Sequence, residues 1–387
     1  MDKIQKIKYL VKLLTTVCIL FLVSCAENES NHSKYEPSVE LVRKGSLVIP
    51  LDSVTPPFAT SFQYYHDGTD GYFSFMNRFN NSIYHFNIDK NEYARIDSFP
   101  IEGPNGVGRF KNTTQFVLHS DSTFLYDRGS KRLIILDNLN NVVFKHSFGL
   151  KAPLTPYGMR GDWLIFDKHR LDFSSSTISF GYSIIEELPD SLELTLDIRS
   201  GKEKRVHLPL PNKYAGKMWR SEHLSYYRVL DASRKRRVYS FPIDDEVLIK
   251  DEFGMIYSKS LGVSFIDEIE PMENLNMASD MQRMNKNLFG QGMYGKMYYD
   301  PFRDIYLRLA TSGIREDKLG FNRPYEDTTA FSKTLILGNG NLEKIGELNG
   351  HSLNHSVIFF RPDGIYILKV SDEEDYMIFD IYDLKEL

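Results

Sequence analysis

From Glu40 to the C-terminus the chain is a succession of short strand-like runs cut by polar turns, and this rhythm constrains its fold more than any other feature. The runs at 72–76, 82–86, 133–136, 163–166 and 192–198 are rich in Tyr, Phe, Ile, Val and Leu. Residues of these types suit a pleated, half-buried surface. Asp67-Gly68, Asn80-Asn81, Asn138 to Asn141, Ser200-Gly201 and Asp363-Gly364 supply the turns between them. With 26 Phe and 23 Tyr but 2 Trp, the aromatic content points the same way, to an all-β body.

The runs recur as a unit of strand, turn, aromatic-rich strand, turn and two further strands. The aromatic-rich strand falls at 72–76, 123–127, 163–167, 237–241, 304–309 and 365–370. The turn before it is alike in three places: Asp231-Ala232-Ser233-Arg234, Asp300-Pro301-Phe302-Arg303 and Arg361-Pro362-Asp363-Gly364. Units of this kind predict a six-bladed β-propeller. The last unit offers three strands, at 356–360, 365–370 and 376–382, and residues 46–51 form an unassigned strand. The expectation is therefore a ring closed by an N-terminal strand that completes the last blade and covers its free edge. The competing arrangements are two β-sandwiches, or a sandwich plus a barrel. Residues 266–297 break the rhythm, with Met277, Met281 and Met284 at helical spacing. They predict either an adaptable Met-rich cap over a binding site or a short helix plugging the side of the propeller. Residues 314–331 read as a polar insertion.

The N-terminus carries the address. Lys3, Lys6, Lys8 and Lys12 precede an apolar run at 13–23, too short for the roughly 20 residues of a spanning helix. Leu22-Val23-Ser24-Cys25 then has the form of a bacterial lipobox. The reading is a lipoprotein signal over 1–24, a lipidated Cys25 with a polar tether over 25–37, and one propeller domain over 38–387. Lipid on Cys25 anchors the protein in the cell envelope, in the outer membrane. Cys18 and Cys25 are the two cysteines, so after processing no thiol is left for a disulfide, a nucleophile or a thiolate metal site. The formal net charge is −5, and removing the lysine-rich leader leaves the remainder near −8. That excludes the basic surplus of a nucleic-acid binder.

Two stretches carry a family likeness: Asn81 to Phe86 (Asn-Ser-Ile-Tyr-His-Phe), and Arg95 to Gly108 with its central Glu102-Gly103-Pro104-Asn105-Gly106. With the lipobox and the repeat, they make the chain resemble the uncharacterised six-bladed propeller lipoproteins of Bacteroidetes-type bacteria, a domain of unknown function. The resemblance spans roughly residues 38–387. It implies the propeller and the envelope location and supplies no activity.

Candidate sites follow from position, since propeller ligands often sit on loops joining one blade's outer strand to the next blade's inner strand. Glu102 and Asn105, with Arg109 beyond them, occupy one such loop, where glycine lets a backbone approach a ligand closely. The structural alternative is a tight turn with Glu102 solvated. Trp219, Arg220 and His223 occupy another, as flat rings beside polar groups suited to a glycan or peptide. The alternative there is core packing. No Lys-Ser/Thr follows the glycines, so a phosphate cradle is excluded. His351 and His355 have helical ligand spacing but precede a strand and lack a third ligand. A Gly-x-Ser-x-Gly turn is absent. The sequence thus predicts a non-catalytic binding or interaction module for a glycan, peptide or envelope protein, with no catalytic residue and no cofactor. The alternative is a Ca2+-assisted lyase or hydrolase at the channel mouth, with Glu102 and Asn105 as oxygen ligands.

Overall fold

The computed structural model describes residues 38–56, 61–118, 122–127, 129–148, 164–167, 170–174, 182–184, 192–273, 280–314, 331–349, 353–369, 371 and 373–387. The lipobox, Cys25, the tether, Met277, His351 and most of the 314–331 insertion lie outside them.

Strand β1 is Val39–Pro50. Next come β2 (Phe62–His66), β3 (Gly71–Asn77), β4 (Ser82–Asn87) and β5 (Glu92–Ser98), one antiparallel sheet in that order. β6 (Thr113–Leu118), β7 (Ser122–Asp127), β8 (Arg132–Asp137) and β9 (Val142–Ser147) repeat the pattern. β10 (Leu164–Asp167), β11 (Arg170–Ser174), β13 (Glu193–Asp197) and β14 (Lys202–Val206) form a sheet from which β12 (Tyr182–Ile184) departs to pair with β15 (Met218–Arg220). A short helix α1 (Ser221–Leu224) leads to β16 (Tyr227–Asp231), β17 (Arg236–Ser240), β18 (Glu246–Lys250) and β19 (Ile256–Ser260). Helix α2 (Met281–Phe289) precedes β20 (Met293–Asp300), β21 (Ile305–Thr311), β22 (Lys333–Asn339) and β23 (Lys344–Asn349). The last sheet runs β24 (Leu353–Arg361), β25 (Gly364–Lys369), β26 (Tyr376–Glu386) and then β1.

Side-chain pattern explains the order within each sheet. β4 is buried at all six positions, as a strand covered on both faces must be. β5, β9 and β19 alternate or are largely exposed, and β14 is Lys-Glu-Lys-Arg-Val, whose charges blunt an open edge. Faces of neighbouring sheets meet through apolar clusters. Phe124, Tyr126 and Leu133 pack on Leu171, Leu194 and Leu196, and Leu192, Leu208 and Leu210 pack on Tyr226, Tyr239 and Phe241. The fold is an all-β propeller.

Six equivalent blades with N-terminal closure, expected from the sequence, are corrected by this arrangement. Five regular blades each place their first strand on a central cavity: β2, β6, β16, β20 and β24. The β10–β11–β13–β14 sheet is not a sixth copy of them. Its chain leaves the sheet between β11 and β13 to make the β12–β15 ribbon, and among the described residues it contributes nothing to the cavity wall. Residues 164–167 of the run that reads as a second, aromatic-rich strand form β10, the first strand of that sheet. Closure is corrected as well. β1 does pair with β26 along the sheet's outer edge. The seam between the last and first blades is aromatic: Phe73 meets Phe379 at 4.9 Å and Phe359 at 5.4 Å, and Tyr64 stacks on Phe359 at 5.2 Å. Leu47 and Ile49 of β1 only join that cluster. Packing between sheet faces, rather than an added strand, holds the seam.

The turn shared by three units has a physical role. Arg234 binds Asp304 of the next blade through two 2.6 Å contacts. Arg303 donates to the carbonyls of Arg361 and Pro362 in the blade after it, at 3.1 and 3.2 Å. Arg361 donates to Asp89 of the first blade at 2.5 Å. The repeated arginine is thus a clamp between neighbouring turns.

Candidate functional site

The central cavity has a volume of about 500 Å3 and is walled by the five first strands. Its wall draws rings from four of the five first strands. Phe62 and Tyr64 come from β2, Phe116 from β6, Tyr298 and Tyr299 from β20, and Phe359 and Phe360 from β24. Pro301 and Phe302 of the β20–β21 turn complete one side, and Phe302 is half exposed. Gln63 does not face a ligand freely. Its amide donates to Val117 O at 2.8 Å and accepts from Val117 N at 2.6 Å, joining β2 to β6 as a strand pair would.

Two charged residues line this wall, Arg228 of β16 and Lys296 of β20, and both are cationic. Each is largely buried. Arg228 donates to the fully buried Glu193 at 2.7 Å, and Arg237 and Lys250 approach the same carboxylate at 3.6 and 4.0 Å. Glu193 thus sits among three bases behind the cavity wall. Lys296 Nζ lies 4.9 Å from the centre of the Tyr298 ring, a cation–π contact. The site can surround an apolar or ring-bearing group and meet an acidic one.

The residues singled out from the sequence are placed elsewhere. Glu102, Asn105 and Arg109 are exposed on the loop after β5, and none lines the cavity. The loop is pinned from below by Asn81, whose amide donates to Phe99 O and Gly108 O at 3.0 and 3.1 Å and accepts from Phe110 N at 2.9 Å. Gly103 and Gly108 have φ of +93° and +84°, and a Cβ on Gly106 would strike the Glu102 backbone. The glycines thus serve the turn. The two stretches that carried the family likeness form one unit, the second folded over Asn81 of the first. Trp219 and His223 are about 1 % exposed in an apolar cluster with Tyr214, Tyr226 and Phe241. Trp219 donates to Tyr214 O at 3.3 Å, while Arg220 forms a bidentate pair with Glu222 at 3.0 and 3.2 Å. Among the described residues neither nitrogen of His223 has a hydrogen-bond partner, and burial lowers its pKa to about 4. His355 lies in β24. Among the described residues no group of three or more His, Cys, Asp or Glu is placed to hold a metal ion.

Arg228 and Lys296 escaped the sequence reading because inner-strand residues look like core. Their signal was a cation inside the aromatic first strand of a unit, Tyr226-Tyr227-Arg228 and Lys296-Met297-Tyr298.

The fold and cavity define a β-propeller with an aromatic, cation-bearing centre. Residues 38–347 match the family described as Domain of unknown function (DUF4221), and the chain belongs to that family. Its structure is similar to that of a DUF4221 member from Bacteroides vulgatus ATCC 8482. The TM-score is 0.76 at 19% identity, over 91% of this chain and 100% of that one. A putative exported protein from Bacteroides fragilis NCTC 9343 is similar at a TM-score of 0.53 and 11% identity, over 93% and 98%. At such identities these likenesses show the fold alone. No curated protein matches the sequence.

Proposed function

We propose that the protein is a binding propeller, held at the cell envelope by lipid on Cys25, that takes an acidic glycan or peptide group into its central cavity. One observation carries this reading: four of the five first strands bring seven rings to a cavity whose two charged lining residues are both basic. Rings offer flat apolar area at little entropic cost, and a buried cation favours an anion most where water is excluded. The exposed loop with Glu102, Asn105 and Arg109 is an outer contact for a larger partner.

The test is calorimetric titration of the protein with acidic and neutral oligosaccharides and with short acidic and neutral peptides. An acidic ligand is expected to bind, and Lys296→Gln is expected to weaken it at least tenfold, the usual scale of one charge-assisted contact. Tyr64→Ala should weaken it as well. Equal binding of neutral and acidic ligands, or an unaltered Lys296→Gln variant, would refute the proposal.

A further inference from the structure

In a four-stranded antiparallel sheet the first-to-second and third-to-fourth connections share one end, and the second-to-third connection lies at the other. The arginine contacts bring the first kind of end together from sheet to sheet. Arg234 and Arg303 each reach from one first-to-second turn to the next, and Arg361 reaches Asp89 in the turn between β4 and β5. The chain enters the fold at this same end. Arg43 of β1 lies opposite Tyr382 of β26, which lies opposite Ile365 beside the β24–β25 turn. Residues 39–41 therefore run past that turn, and Ser38 N donates to Ile345 O at 2.9 Å, near the start of β23.

Large apolar side chains stand in solvent at this end. Leu139 and Phe253 are 76 % and 85 % exposed, and Met255 is exposed beside Phe253. Phe302, half exposed on the β20–β21 turn, also lines the central cavity. The turns beneath them are braced. Asp137 Oδ1 accepts from Leu139 N at 2.9 Å and Asn141 N at 2.8 Å, and Asp251 Oδ1 accepts from Phe253 N at 2.9 Å and Met255 N at 2.8 Å. Such a turn does not require an apolar tip. The β22–β23 turn is built the same way on Asn339 Oδ1, and there Asn341 takes the place of Leu139 and Phe253. Charges near the tips are paired within the protein: Arg234 with Asp304, Lys235 with Glu252, and Arg361 with Asp363.

We propose that this end of the propeller is a docking surface for the lipid bilayer, with Leu139, Phe253, Met255 and Phe302 seated among zwitterionic headgroups. The proposal rests on the lipid anchor at Cys25. A tether over 26–37 spans at most about 40 Å and joins the fold at this end, which is therefore the end drawn to the membrane. Apolar side chains prefer the boundary of headgroups and acyl chains to water, and charges already paired give an anionic surface little to attract. Docking orients the propeller, while retention stays with the acyl chains. The Glu102 loop, a fourth-to-first connection at the opposite end, then faces away from the bilayer.

The experiment purifies the protein from membranes with its lipid and reconstitutes it into phosphatidylcholine vesicles, with and without bromine on the upper acyl chains. Bromine quenches a tryptophan that reaches it. Phe253→Trp and Phe79→Trp place the probe at exposed positions on opposite ends, and the unsubstituted protein sets the background. Bromine should lower the added emission of Phe253→Trp by at least about twofold, as for a ring at the headgroup–acyl boundary, and leave that of Phe79→Trp unchanged. Vesicle flotation reads the anchor separately. Protein that floats while Phe253→Trp is unquenched, or while both ends are quenched equally, would overturn the docking and leave the anchor standing. Protein that does not float would overturn the anchor and the docking with it.

Discussion

His223 shows how a single side chain reports its surroundings. The sequence offered it as a ligand contact beside Trp219, or as core. The structure sets it edge-on to the Trp219 ring at 5.6 Å, with no hydrogen-bond partner for either nitrogen among the described residues. Burial is the largest influence on its pKa and lowers it to about 4, with Glu222 pulling it up and Arg220 pushing it down. The sign follows from proton counting. Above pH 6.5 the ring is neutral in both folded and unfolded chains, and nothing is lost. Between pH 6.5 and 4 the unfolded chain takes up a proton that the folded one refuses, so stability falls as pH falls. The loss approaches about 3 kcal/mol over that window. His85, also lowered mainly by burial, acts in the same direction, so the contrast must be made against a variant. Urea unfolding of wild type and His223→Leu should show the gap between them moving in the variant's favour by about 2–3 kcal/mol from pH 7.5 to 4.5. A gap independent of pH would show that His223 is not a neutral buried base.

At the scale of elements, the arginine-bearing turns explain why a degenerate repeat keeps one feature. Strand sequences vary freely provided each face stays apolar, whereas a turn that must reach the neighbouring blade needs a long side chain with several directed donors. The sequence showed the likeness of the turns at 231–234, 300–303 and 361–364, but the partners were illegible, since Asp304 and Asp89 belong to other units. The same limit applied to β10. Periodicity marks a strand and cannot say whether it is first or second in its sheet, which depends on where the chain leaves to form β12. Arg361 is the most demanding of the clamps, donating to Asp89 at 2.5 Å and to Asp363 at 3.1 Å with its side chain 13 % exposed. Arg361→Ala should lower stability by about 1.5 kcal/mol, the scale of a hydrogen bond to a charged group. In a double-mutant cycle with Asp89→Ala most of that should appear as coupling between the two sites. Additive effects in urea unfolding would mean that the contact contributes no joint stability to the seam.

For the whole molecule, strands, turns and apolar faces were readable because their cause is local, while the central cavity was not, because its wall is assembled from strands far apart in sequence. Tyr64 and Phe359 stack across the seam between the ends of the chain, and no local pattern announces that pair. The proposed anchor is the opposite case, written entirely in the first residues. On that reading the residues after the leader carry a net charge near −8, which disfavours an anionic lipid surface. No helix among the described residues is long and apolar enough to cross a membrane. On the proposed reading, retention depends on the acyl chains of Cys25, through a tether at 26–37 that can span at most about 40 Å. Cys25→Ala is expected to shift the protein from the membrane pellet to the soluble fraction after cell fractionation, at any salt concentration. Replacing the acidic Glu27 and Glu29 by Gln should leave it in the pellet. If Cys25→Ala sediments with membranes as wild type does, and high salt fails to release it, the lipid is not what holds the propeller at the envelope.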